Sequence, residues 1–163
     1  MCRRQKFLQL KNIDAFLFAK RKEFIKQLEH HHKNGTLFFT QEITQEVLEH
    51  VTNDPYIETG VREEDKIIIH KIPHMAKEYL AETDDQKKRY FYCHCPWVKE
   101  ALLADSKPIA PVFCNCSAGF YRAYWEIILA QPVEVEVLSS LLRGDQICSF
   151  AVTIPENLLE QTS

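Results

Sequence analysis

The segment PVEVEVLSSLLRGDQICSFAVTIP, residues 132–155, has the plainest pattern in the 163-residue chain. Val133, Val135 and Val137 alternate with Glu134 and Glu136; beyond RGDQ, Cys148, Phe150, Val152 and Ile154 alternate again. A period of two puts such residues on one face of a strand, so the segment predicts a β-hairpin. A four-residue turn at RGDQ aligns the two apolar faces. It points Cys148 inward and leaves Glu134 and Glu136 on a solvated face.

Immediately upstream, SAGFYRAYWEIILA predicts a helix whose stripe is Tyr121, Tyr124, Trp125, Ile128 and Leu129. Further back, KIIIHKI at 66–72 reads as a short β-branched strand and KRYFYCHC at 88–95 as an aromatic-rich one. Pro73 suits a first helical position, so HMAKEYLAE reads as a helix, and WVKEALLAD as another. IETGVREED reads as a loop. The N-terminal third predicts one long helix over 5–33, stopped by Asn34-Gly35, and a second over 40–53 with Thr40 as its cap and Ile43, Val47, Leu48 and Val51 buried.

This order predicts an α+β fold: an antiparallel sheet with a C-terminal β-hairpin packed against helices, preceded by an N-terminal helical region. Residues 1–60 form that helical region and residues 61–163 an α+β small-molecule-binding domain, the two making one compact unit. The long first helix carries more apolar surface than a solvated helix needs, so it packs on the sheet domain or makes a homodimer.

Composition excludes several classes. A formal charge of −3 and a pI near 6.2 argue against nucleic acid as a partner. No run of about twenty apolar residues encodes a membrane span. The N-terminus lacks the unbroken apolar stretch of a signal peptide, so the expected compartment is the cytoplasm. There, the six cysteines are expected to serve metal binding or catalysis rather than disulfides.

Four of those cysteines form two pairs, FYCHCPW at 91–97 and FCNCSAG at 113–119. Three uses compete. In the first, Cys93, Cys95, Cys114 and Cys116, with Cys148, hold zinc or another soft metal; Cys-x-Cys is tighter than the usual zinc spacing, so one cysteine from each pair plus Cys148 is the easier set. In the second, Cys114 and Cys116 sit just ahead of Ser117, the N-cap candidate of the following helix. A helix N-terminus lowers a thiol pKa and makes it a nucleophile, with His94 as the histidine available for a base. In the third, the thiols only pack, as free cysteine commonly does. Arg122 is the candidate partner for a ligand carboxylate, and Trp97 and Tyr121 are the aromatic candidates for a ligand wall.

The C-terminal half, with CPW at 95–97, FCNCSAGFYRAYWE at 113–126 and PVEVEVLSSLLRGDQICSF at 132–150, resembles the L-2-amino-thiazoline-4-carboxylic acid hydrolase-like family. The ending LLRGDQICSFAV also resembles the closing hairpin of 4-vinyl reductase-like domains. The resemblance implies a pocket between sheet and helices. It further implies hydrolysis of a carboxylate-bearing thiazoline or, as in the related ligand sensors, a zinc ion near the hairpin. Cys148 matches the hairpin cysteine of those sensors; upstream, this chain has Ser139 and Ser140. Two functions follow: a C–N hydrolase using Cys116 or Cys114 with His94, or a non-catalytic ligand-sensing domain bearing zinc on its cysteines.

Overall fold

The computed structural model describes residues 2–104 and 109–159. Its elements are α1 (Arg3–Leu10), α2 (Ile13–Asn34), β1 (Leu37–Phe38), β2 (Gln41–Glu42), α3 (Gln45–Asn53), β3 (Val61–Glu63), β4 (Lys66–His70), α4 (Ala76–Ala81), α5 (Asp85–Tyr92), α6 (Pro96–Leu103), α7 (Asn115–Leu129), β5 (Val135–Ser139), β6 (Ser149–Thr153) and α8 (Glu156–Leu159). The fold is α+β. The main sheet has the order β3-β4-β6-β5, antiparallel throughout, and β1-β2 is a separate small hairpin.

The C-terminal hairpin pairs as its alternation requires. Val135 lies opposite Val152 and Val137 opposite Phe150, while Ile67 and Ile69 of β4 lie opposite Val152 and Phe150. This puts one apolar row across three strands, and Trp125, Ile128 and Leu129 of α7 complete the same core. Glu134 and Glu136 face solvent, and Glu136 pairs with Lys66 at 3.4 Å. The connection is longer than the four-residue turn expected at RGDQ. A bulge between Val137 and Ser139 shifts the register before the last pair, Ser139 with Ser149; a 3₁₀ turn follows at Leu141–Arg143, and Gly144 closes it at φ 91°. Asp145 Oδ2 takes the Ser140 N–H at 2.8 Å, an aspartate capping a tight loop. Cys148 therefore falls just before β6, half-buried where two apolar clusters meet.

Several expectations change. The helix expected over 5–33 is two helices. Lys11 turns left-handed at φ 53°, and the Asn12 side chain caps a fresh start by accepting from Ala15 N at 2.8 Å. Both helices dock on the sheet core through Phe7, Ile13, Phe16 and Leu17, which accounts for the apolar surplus of the first helical segment. The second helix starts at Gln45 under Thr44, whose hydroxyl accepts from Val47 N, because residues 41–42 are already committed to β2.

KRYFYCHC is not a strand. The Asp84 carboxylate accepts from Lys87 N at 2.9 Å and nucleates α5 before the aromatic residues begin. A strong N-cap and a polar, helix-forming first turn override aromatic β-preference. IETGVREED, expected as a loop, contains β3, whose turn into β4 is made by Glu64 at φ 54°. α4 begins at Ala76 rather than at Pro73, because His74 N and Met75 N instead donate to Tyr92 O and Phe91 O at the end of α5.

Candidate functional site

The two cysteine pairs sit differently from one another. Cys93 and Cys95 flank the α5–α6 turn. With Cys148, they pack around Tyr92, Val98 and Leu141, and Cys114 stands in electrostatic reach of both Cys93 and Cys148. Cys116 is exposed. Burial pushes the Cys93 thiol up to about 11 and the Cys148 thiol upward as well, so both are held protonated. Among the described residues, no group of three or more His, Cys, Asp or Glu side chains is arranged to hold a metal ion.

Ser117 is not the N-cap expected of it. A 3₁₀ turn at Pro111–Cys114 runs straight into α7, and Asn115 N donates to Val112 and Phe113 carbonyls. Cys114 is thus itself the N-cap of α7 and Cys116 lies in its first turn, both reached through a 3₁₀ turn opened by Pro111 rather than through an extended segment. His94 is occupied elsewhere: its Nε2–H donates to Ile72 O at 2.7 Å and its ring lies 5.0 Å from that of His74. No hydrogen bond joins it to a thiol among the described residues. Of the three ligand-wall candidates, Arg122 points to solvent and pairs with Glu126 at 2.8 Å, Trp97 is 73% exposed on α6, and Tyr121 is buried beneath a cavity.

That cavity is the site the sequence did not announce. It measures about 310 Å³ and lies between α1, α2, the β1–β2 hairpin, the segment before β3, and α7. Phe16, Phe24, Phe38, Phe120, Tyr121 and Tyr124 give it aromatic walls, and Arg3, Lys6, Lys20, Glu23 and Glu58 supply charge. Lys6 already pairs with Glu23. Among the described residues neither Lys20 nor Glu58 makes an ion pair, so their charges remain available to an occupant.

Two consecutive side chains of α2 build the Glu58 wall. Lys20 Nζ donates to the carbonyls of Glu58 at 2.9 Å and Thr59 at 3.2 Å. Arg21 donates to the carbonyls of Val51, Thr52, Asp54 and Ile57. One turn of helix thereby holds residues 51–59 by six carbonyls. From the other side Gly60, at φ 79°, presses that segment against β4: a Cβ there would lie 2.7 Å from Ile67 Cγ2 and 2.9 Å from Ile69 Cγ1. Glu58 itself is left-handed at φ 59°, a conformation non-glycine residues adopt where surrounding structure enforces it.

The electrostatics follow from this enclosure. Burial drives the Glu58 carboxyl above the ordinary carboxylate range, against the opposing pull of the Ile72 N–H at its Oε1 and of Lys71 and Lys20. Burial likewise lowers Lys20 to about 8, partly offset by Glu58. The Lys20 ammonium also stands 4.9 Å from the Tyr124 ring centroid and 5.3 Å from that of Trp125. Burial raises Tyr124 to about 12 and Tyr121 higher still, so both phenols stay protonated. The arrangement offers a proton acceptor, a cation and neutral hydroxyls around a space of small-molecule size.

A family model matches residues 67–159, more than half of the chain. The chain belongs to the DUF6144 family, a family of unknown function. The DUF6144 span runs from β4 to α8 and contains Tyr121 and Tyr124 together with five of the six cysteines. Lys20 and Glu58 precede the span, so the cavity is walled by DUF6144 residues on one side and by the helical N-terminal segment on the other. No curated protein and no solved structure matches the chain. Among the described residues no helix is long and apolar enough to cross a membrane.

Proposed function

We propose that this protein is a cytoplasmic hydrolase that opens a C–N bond in a small carboxylate-bearing molecule held in the α1–α2–α7 cavity. One observation carries this reading: a carboxyl with raised proton affinity and an ammonium with lowered proton affinity line the same aromatic-walled space. Environments that push acid and base toward each other's range are how one site moves protons near neutral pH. Arg3 and Lys20 hold the substrate carboxylate, and aromatic walls hold its body. Glu58, ionised, takes a proton from water as the water oxygen bonds to the electrophilic carbon. The same proton then passes to the departing nitrogen as the C–N bond breaks, leaving Glu58 ionised again. Tyr121, with no hydrogen bond of its own among the described residues, is placed to donate to the oxygen that gains charge.

Cys114, Cys116 and His94 lie outside the cavity lining, so in this reading water activated by Glu58 takes the place of a thiolate nucleophile with His94 as its base. The resemblance of residues 90–155 to the thiazoline-carboxylate hydrolase-like family supplies the first probe. 2-Aminothiazoline-4-carboxylate is incubated with the full chain and followed chromatographically, alongside titration calorimetry. Consumption by the wild type, with binding but no consumption by Glu58→Gln, is the expected pair of results. Consumption undiminished in Glu58→Gln overturns the role of that residue. Binding without consumption in the wild type favours a second reading, a ligand-sensing domain, for which the paired Lys6–Glu23 charges and aromatic walls suffice.

A further inference from the structure

β4 ends at His70, and residues 71–75 then cross the ends of α5, α6 and α7. Backbone hydrogen bonds fix this crossing: Lys71 N donates to Cys148 O at 3.0 Å, and the Tyr92 hydroxyl donates to Lys71 O at 2.6 Å. His74 N and Met75 N donate to Tyr92 O and Phe91 O, at 3.1 and 2.9 Å. Two half-buried imidazoles meet as a result, within electrostatic reach of two half-buried ammonium groups. The His74 and His94 rings are 5.0 Å apart, Lys71 Nζ donates to Ser117 Oγ at 3.2 Å, and Lys99 Nζ lies 3.0 Å from Met75 Sδ and 4.3 Å from the Tyr90 ring centroid. Both ammonium groups act electrostatically on both imidazoles.

Among the described residues neither Lys71 nor Lys99 has an ion-pair partner. A hydroxyl, a thioether and a ring face carry no formal charge to balance theirs. Glu58 lies in the field of Lys71, but its Oε1 accepts from Ile72 N at 3.1 Å and no ion pair joins the two. Burial and the two lysines hold His74 below its usual range and His94 at about 4, so both rings are neutral. With Nε2–H committed to Ile72 O, neutral His94 presents Nδ1 as an acceptor.

We propose that Lys71, Lys99, His74 and His94 form a binding site for a phosphate-class oxyanion, either inorganic phosphate or the phosphate end of a monoester. Two ammonium groups match an anion that spreads its charge over several oxygens, and the Nδ1 acceptor matches its remaining P–OH, a proton that an ionised carboxylate does not have. Half-buried positive charge without a counter-charge costs stability that a bound anion restores. None of the four residues lines the α1–α2–α7 cavity, and all four lie inside the span 67–159. The site therefore rests on residues other than those of the hydrolase reading, although Lys71 also acts on Glu58.

Calorimetric titration of the full chain with inorganic phosphate, with long-range imidazole NMR as the second readout, tests it. Saturable binding that shifts the His74 and His94 ring signals is expected, with acetate at equal ionic strength shifting neither. Lys71→Met and Lys99→Met, checked for native circular dichroism, each weaken binding about tenfold or more, the order of one charge-assisted hydrogen bond. Lys22→Met, an exposed charge on α2, leaves it unchanged. Phosphoserine binding more tightly than inorganic phosphate assigns the monoester source, and the reverse assigns the free ion. Absence of saturable heat, acetate acting like phosphate, or full affinity in both lysine variants overturns the site.

Discussion

The α5–α6 turn with Cys148, and the α1–α2–α7 cavity, are subject to the same force and respond in opposite ways. In both, withdrawal from water penalises the charged form of every ionisable group. At the turn the groups are thiols, and the neutral form of a thiol is its inert one. In the cavity the groups are a carboxyl and an ammonium. Burial brings their proton affinities toward each other, which makes each a better partner for proton transfer. Burial by itself is therefore no sign of function or of inertness; the chemistry of the buried group decides.

The sharpest break between the two regions is expected from Glu58→Gln, which keeps the shape and the Ile72 N–H contact but removes the base. Turnover should fall by about 10²–10⁴, the usual contribution of a positioned general base, with ligand affinity nearly unchanged. The same steady-state assay on Cys93→Ser should show full activity, since that sulfur packs in the cluster of Tyr92, Val98 and Leu141 and is not part of the cavity lining.

The thiols themselves give the next contrast. At pH 8 a thiol raised from 9 to about 11 has roughly a hundredfold less thiolate than an unperturbed one. Timed alkylation with mass-spectrometric peptide mapping should label the exposed Cys2 and Cys116 early and Cys93 last. Early labelling of Cys93 would mean that the α5–α6 turn opens readily and that its packing is weaker than the structure shows.

The sequence displayed these two regions unequally. The hairpin, the α7 stripe and the α+β class were legible because period-two and period-3.6 patterns survive in the chain as written. The cysteine pairs were conspicuous because they repeat, yet repetition carries no information about burial or about where a helix begins. Pro111 opens a 3₁₀ turn ahead of Ser117, and only that turn shows that Cys114 rather than Ser117 stands at the N-cap of α7. Strand 88–95 failed for a related reason: the Asp84 cap lies upstream of the aromatic run, outside the window in which aromatic β-preference is judged. Glu58 and Lys20 were invisible as a site because residues 38 positions apart in a long helix and a loop meet only through tertiary packing. A weak signal did exist. Gly60, beyond Thr59 from Glu58, marks a tight backbone passage, and the Lys20-Arg21 pair sits in the middle of an otherwise amphipathic helix.

Arg21 tests how rigidly that passage is held. Its guanidinium serves four carbonyls of residues 51–57, and methionine serves none. Arg21→Met should cost about 3 kcal/mol in urea unfolding, given roughly 1 kcal/mol for each hydrogen bond lost and some rehydration of the freed carbonyls. Because the same segment carries Glu58, kcat should fall more than ligand affinity. A change below 0.5 kcal/mol, about the level of an ordinary surface substitution, would show that Gly60 and β3 alone hold the wall.

The last effect concerns Lys20 and is one of slope. Its folded pKa is about 8 and its reference value 10.5, so between those pH values the unfolded chain binds the extra proton and the folded chain does not. Stability therefore rises with pH across that window on account of this residue, since the unfolded state loses a proton the native state has already shed. Other groups oppose it. Cys93, raised from 9 to about 11, contributes stability that is lost as pH climbs through the same region. The two trends separate by subtraction: urea midpoints of the wild type minus those of Lys20→Met, taken from pH 7.5 to 10.5, should climb with pH, whereas Cys93→Ser minus wild type should climb through the loss of the opposing thiol. A flat Lys20 difference would mean that Glu58 and the Thr59 carbonyl keep the ammonium charged throughout. The cavity would then hold a permanent cation beside a carboxylate, which suits binding of a carboxylate ligand but removes the matched pair on which proton transfer rests.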